Sequence, residues 1–348
     1  MFDDYRRSID YMRVSITDRC NLRCIYCMPS EGIELLSHKD VLRFDEIVTI
    51  CRSAAKLGIE KIKITGGEPL VRLGVTDLIR KIKAVEGIKE VTLTTNGVLL
   101  SEYIDELAVA GINGINISVD ALDEKAYQEI TGFDVLDKVY ESIDKTLKYP
   151  NIPLKVNCVP FKKYNNKEVS NICKLVNLAK ENPIHVRFIE MMPIGYGKEH
   201  EYINEKELVE EIEKEYGKLI PFTKKLGNGP CRYYELEGFK GKIGFISAIS
   251  HKFCHTCNRV RLTSHGTLKT CLQYEAGEDL RKLLREGASE GEITEAIKKA
   301  ICEKPKGHIF EGLMDNTCET TKKGKECTYI EESGQIPENQ LLMSEIGG

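Results

Sequence analysis

Short runs of β-branched and apolar residues alternate along the chain with longer stretches in which apolar positions recur every three or four residues. The short runs predict strands at Met12 to Thr17, Lys61 to Thr65, Glu90 to Thr95, Gly114 to Val119, Leu154 to Pro160 and His185 to Glu190. The helical period is clearest over Phe44 to Leu57, where Ile47, Val48, Ile50, Ala54 and Leu57 make one stripe. Leu78 to Val85, Glu102 to Ala110, Val139 to Leu147 and Glu168 to Ala179 behave alike. Six β-α units in a row predict a parallel sheet with helices outside. Parallel crossovers are right-handed, so the sheet curls toward a barrel or partial barrel.

Unusual polar residues sit at or just past the strand ends. The stretch TDRCNLRCIYCMPS follows the first strand, GGEP (Gly66 to Pro69) the second, TTNG (Thr94 to Gly97) ends the third and SVDA (Ser118 to Ala121) the fourth. KVN lies within the fifth, and RFIEMMP ends the sixth. In an α/β barrel the C-terminal strand ends carry the active site, which makes this rim the candidate site.

Beyond about Tyr196 the pattern changes. Lys242 to Ser250 reads as one more strand, and helices are expected around Leu280 to Arg285 and Glu292 to Cys302. Lys304 to Asn339 is rich in Lys, Glu, Thr and Gly and reads as a loop or partly disordered segment, before an ending LLMSEIGG. At 348 residues, one large domain or one and a half is expected.

Composition narrows the class. A net charge of −4 and a pI near 6.1 do not indicate a nucleic-acid-binding face. The amino terminus lacks a signal-peptide core, and no apolar run approaches a membrane span, so a cytoplasmic protein is expected. Thirteen cysteines are many for such a chain, and in a reducing compartment clustered cysteines signal metal or redox chemistry. Two triplets stand out, Cys20/Cys24/Cys27 and Cys254/Cys257/Cys271. Cys51, Cys158, Cys173, Cys231 and Cys302 are scattered and read as small buried hydrophobes, while Cys318 and Cys327 fall in the polar segment.

Thiolates are the usual ligands of iron–sulfur clusters, four to a cubane that only carries electrons. Three hold a four-iron cluster and leave one iron open to a ligand, the same logic that separates reactive from structural zinc sites. The alternatives are buried thiols without metal and a zinc site with a distant fourth ligand, for which His255 or His265 is available near the second triplet. Arg259 and Arg261 follow that triplet at once, and alternation on an extended strand would point both toward one anionic or nucleobase ligand.

Cys20-x3-Cys24-x2-Cys27 followed by GGEP resembles the radical S-adenosylmethionine (SAM) superfamily. The second triplet, LTTNG, ISVDA, RFIEMMP and the terminal Gly347-Gly348 together resemble the GTP 3′,8-cyclases of molybdenum cofactor biosynthesis. The resemblance implies an incomplete TIM-type (β/α)6 radical SAM barrel over residues 1–196. It implies a C-terminal extension over 197–348 that carries a second iron–sulfur cluster, a polar insertion at about 307–339 and the Gly-Gly tail. It implies two [4Fe-4S] clusters and SAM as cofactors, the first making a radical and the second binding the guanine of GTP. Tyr26, Gly66, Gly67, Glu68, Ser118 and Met192 match SAM positions. Arg13, Lys63, Thr94, Lys155, Arg259 and Arg261 match GTP positions, and Lys61 and Arg187 lie near the triphosphate. Arg13, Gly347 and Gly348 are implied in cyclisation. The implied partners are a flavodoxin- or ferredoxin-like reductant and a downstream cyclic pyranopterin monophosphate synthase, with a homodimer also considered. Departures from the family pattern at Lys63, Ala248 and His265 leave a paralogue acting on another nucleotide or on a peptide as the alternative.

Overall fold

The computed structural model describes residues 1–164 and 170–310. Its elements run β1 (Tyr11–Ser15), α1 (Phe44–Lys56), β2 (Lys61–Thr65), α2 (Val75–Lys83), β3 (Glu90–Thr95), α3 (Leu100–Val109), β4 (Ile115–Ser118), α4 (Glu124–Thr131), α5 (Leu136–Leu147), β5 (Leu154–Cys158), α6 (Asn171–Glu181) and β6 (His185–Ile189). Then come α7 (Glu205–Tyr216), β7 (Ile220–Phe222), β8 (Arg232–Glu235), β9 (Ile243–Ile246), β10 (Arg259–Leu262), β11 (Thr267–Lys269), β12 (Gly277–Asp279), α8 (Leu280–Arg285) and α9 (Glu290–Cys302). The first six expected strands form, each within two residues of its expected bounds; the seventh, expected over Lys242 to Ser250, forms as β9 but ends at Ile246.

The strands make one 12-stranded sheet in the order β12-β11-β10-β1-β2-β3-β4-β5-β6-β9-β8-β7. β1 to β6 are parallel in sequence order, and the later chain extends this run at both ends: β10 pairs parallel with β1 and β9 parallel with β6. Antiparallel strands finish each edge. The two halves of the chain therefore share a single sheet, and α9 packs on α1.

The strand pattern follows from a sheet with two different faces. On β1, Met12 and Val14 are fully buried, while the intervening Arg13 is half-buried. β3, β5, β6 and β10 alternate in the same way, with Thr92, Thr94, Lys155, Asn157, His185, Arg187, Arg259 and Arg261 at the half-buried positions. The apolar face packs on the helices, and the polar positions fall on the opposite, concave face. Helix ends are set locally. Asp123 accepts from Ala126 N at 3.1 Å to start α4, and Gly132 ends that helix with φ of 80°.

Candidate active site

The first triplet lies in the loop after β1, at the C-terminal end of the parallel strands. The glycine pair of GGEP explains where that loop sits. A Cβ on Gly66 would stand 2.8 Å from Thr17 O, and one on Gly67 would run into Arg19 O and stand 2.8 Å from Asp18 O. Only glycine lets the cysteine loop lie directly on the end of β2. Gly67 N donates to Thr17 O and Glu68 N to Arg19 O, each at 2.8 Å, and tie the two segments together. The Glu68 carboxylate is used internally: Leu70 N and Thr95 Oγ1 donate to Oε1, and Asn96 N to Oε2. Burial still raises it to about 7.

Tyr26 OH donates to Asp120 Oδ2 at 2.9 Å, and its ring packs against Phe161. Asp120, which lies in the SVDA motif without an assigned role there, also accepts from Val159 N and so ties the cysteine loop to the end of β5. Ser118 ends β4 opposite Asn157, and Met192 follows β6 with its carbonyl accepting from Ile194 N. Burial pushes the Cys20 thiol up to about 11 and Cys24 well above its ordinary value. A positively charged group beside such thiols would favour their thiolate, ligand form.

The second triplet lies at the other end of the barrel. Cys254 and Cys257 precede β10, and Cys271 follows β11, which runs antiparallel to it. β10 is parallel to β1, so both ends point away from the first triplet. The length of β1 separates them, ~16 Å for its five residues. The three thiols act electrostatically on one another. Burial works against the Cys257 thiolate, but Lys304 and Arg259 outweigh it and bring the thiol down to about 7. His265 stands in the turn after β10, at the far end from these cysteines, and His255 is exposed. Among the described residues no three Cys, His, Asp or Glu side chains converge tightly enough to share one ion.

Between the triplets the concave face is cationic. Arg13 is register partner to Lys63 on β2 and to Arg261 on β10. Burial lowers Lys63 well below its ordinary value, with Arg187, Arg13 and Lys155 adding to it. Burial and then Arg187 bring Lys155 to about 8, and burial with Arg13 and Arg259 brings Arg261 to about 9. Burial and mutual repulsion both work against these charges. Lys61 differs. It pairs with Asp10 at 2.5 Å and Glu60 at 3.4 Å; burial alone would lower it, and the carboxylates raise it instead.

Asn116 organises part of this face. Its Nδ2 donates to Thr94 Oγ1 at 3.2 Å, and its Oδ1 accepts from Arg187 Nη2 at 2.8 Å. At the second triplet's end, Lys155 Nζ donates to Leu226 O and Asn228 Nδ2 donates to Glu90, so residues 226–228 lie across the mouth. The sequence offered little signal for that loop beyond Gly227, whose φ is 95° and whose added Cβ would stand 2.5 Å from Lys155 Nζ. Cys51 and Cys158 are buried as expected, whereas Cys173, Cys231 and Cys302 are only half-buried, and Cys231 faces Arg187 and Lys155, which corrects their reading as plain core residues. Gly307 to Phe310, expected to open a polar insertion, instead begin by packing on the second triplet, with Phe310 buried. Gly347, Gly348, Cys318 and Cys327 lie outside the described residues.

Residues 14–176 match the radical SAM superfamily and residues 184–310 match Molybdenum Cofactor Synthesis C. The chain is 46% identical over 312 residues to the GTP 3′,8-cyclase of Clostridium perfringens strain 13, covering 89% of this chain and 95% of that one. It is 43% identical over 314 residues to the GTP 3′,8-cyclase of Desulforamulus reducens, covering 89% and 96%. The chain belongs to the GTP 3′,8-cyclase family. Among solved structures, Streptococcus suis SuiB bound to S-adenosylmethionine superposes with a TM-score of 0.58 at 17% identity, covering 88% of this chain and 74% of that one. At that identity the likeness concerns the fold, which is the radical SAM α/β fold with a C-terminal extension. Among the described residues no helix is long and apolar enough to cross a membrane.

Proposed function

We propose that this protein is a radical SAM GTP 3′,8-cyclase. It converts GTP to (8S)-3′,8-cyclo-7,8-dihydroguanosine 5′-triphosphate in molybdenum cofactor biosynthesis. The observation that carries this reading is the pair of open cysteine triplets at opposite ends of one cationic barrel face, in a chain of this family.

Cys20, Cys24 and Cys27 would hold the cluster that binds SAM, and Cys254, Cys257 and Cys271 a second four-iron cluster that receives the guanine. Such a cluster with SAM supplies one-electron chemistry able to remove a hydrogen atom from the ribose. The chain's own residues bind and orient. Tyr26, Gly66, Gly67, Ser118 and Met192 surround the SAM position, with Glu68 bracing the GGEP turn. Arg13, Lys63, Thr94, Lys155, Arg259 and Arg261 line the route between the triplets for GTP, and Arg187 and Lys61 serve the triphosphate. Arg13 acts with Gly347 and Gly348 in cyclisation. Holding the nucleotide at both ends fixes its ribose and base relative to each other, which is where the catalytic advantage of orientation arises.

The barrel portion is assigned to residues 1–196 and the extension to 197–348. The proposal includes a flavodoxin- or ferredoxin-like reductant, a cyclic pyranopterin monophosphate synthase as consumer of the product, a cytoplasmic location and a homodimer. Cys24→Ala should abolish SAM cleavage, whereas Cys257→Ala should spare uncoupled SAM cleavage and abolish cyclisation. Equal loss of SAM cleavage in both would contradict this division.

A further inference from the structure

The two triplets differ in what surrounds them. At the first, two carboxylates stand beside the cysteine loop: Asp120 accepts from Tyr26 OH, and Glu68 accepts from Asn96 N. At the second, one short segment after α9 wraps the cysteines with cationic and N–H groups. Lys304 is 3% exposed, and its Nζ donates to Arg259 O at 3.1 Å and to Thr270 O. Those carbonyls lie within two residues of Cys257 and Cys271, so the ammonium sits between the two chain segments that carry these thiols.

Gly307 crosses Cys254. A Cβ there would stand 3.1 Å from Cys254 Cβ and 3.2 Å from its Sγ. The next residue, His308, lies with its backbone and ring against the same sulfur, and its Nε2 is 2.8 Å from Ala248 O. The segment is itself fixed. Arg7 donates to Lys304 O, Pro305 O and Lys306 O at 3.3, 2.7 and 2.9 Å, and to Cys254 O at 3.0 Å. Arg7 is in turn held by Asp3 in a buried 2.6 Å ion pair.

We infer that Lys304 to His308 form a cationic strap over the second triplet. The strap holds the three thiolates in place, and the Lys304 charge raises the reduction potential of the cluster bound there above the value its ligands alone would give. The inference rests on the reading of the second triplet as a cluster site. The physical basis is that charge and hydrogen bonds near cluster sulfurs tune reduction potential, and a fixed cation favours the more negative, reduced state.

The test uses full-length protein carrying Cys20→Ala, Cys24→Ala and Cys27→Ala, reconstituted anaerobically so that only the second site is loaded. Iron content is measured first. Failure of this parent to bind about four irons would overturn the cluster reading itself. A redox titration followed by electron paramagnetic resonance then compares Lys304→Gln and Lys304→Arg in the same background. The expected result is that Gln shifts the one-electron equilibrium tenfold or more toward the oxidised cluster, about 59 mV, and that Arg restores it to within threefold. If Gln instead loses iron while Arg keeps it, the charge is still shown to hold the site. Retained iron with an unshifted equilibrium in Lys304→Gln, or equal iron loss in both variants, would overturn the strap.

Discussion

Arg13 and Arg261 are register partners on the parallel strands β1 and β10, and each stands in the other's electrostatic field. They come from opposite ends of the sequence. Two guanidinium groups are thus brought together on one face, where burial and their mutual repulsion lower the Arg261 pKa to about 9.

Arg261→Met should therefore weaken GTP binding while sparing the fold. Loss of a charge-assisted contact is worth about 1.5–3 kcal/mol, or roughly 10- to 150-fold in affinity. The thermal midpoint of the ligand-free protein should not fall, since removing one charge relieves repulsion. Calorimetric titration and thermal unfolding check the two halves separately, and unchanged GTP affinity would assign Arg261 a structural role.

Lys155 gives a pH signature. Its pKa is lowered from 10.5 to about 8, first by burial and then by Arg187. Between these values the unfolded chain holds more protons than the folded one, so this group makes stability rise with pH. A bound triphosphate favours the charged amine and raises its pKa. Binding near pH 8 to 9 should therefore take up protons, seen as a dependence of binding enthalpy on buffer ionisation heat. Lys155→Met should reduce the uptake; equal uptake in both proteins would remove Lys155 from the site.

Gly67→Ala should empty the first site alone. The added methyl collides with the Asp18 and Arg19 carbonyls and forces the cysteine loop off β2. Reconstituted iron should drop from about eight to about four per chain, with the second cluster's spectrum retained. Full iron content would show that the loop yields without cost.

Much of this was legible in the chain because it rests on local signals. The strands β1 to β6 announce themselves by short β-branched runs, and the cysteine spacing and GGEP mark the first triplet. What escaped depends on distant pairing. The parallel alignment of β10 with β1, which puts the second triplet at the opposite end of the barrel, has no local signature. Nor do Asn116, Arg7 or Lys304 stand out as single polar letters, since their roles arise from partners on other elements. The short strands β7, β8, β11 and β12 lie at the sheet edges, where three or four residues carry too little pattern to read.

The central claim, that both triplets and the cations between them serve cyclisation of GTP, is tested most directly by one measurement. Reconstituted protein is incubated anaerobically with SAM, dithionite and each of the four ribonucleoside triphosphates in turn, and products are read by mass and chromatography. The expected result is 5′-deoxyadenosine together with a new isomer of GTP, of unchanged mass and altered retention, from GTP alone. SAM cleavage without any GTP isomer, or an equal yield of isomer from another nucleotide, would contradict it.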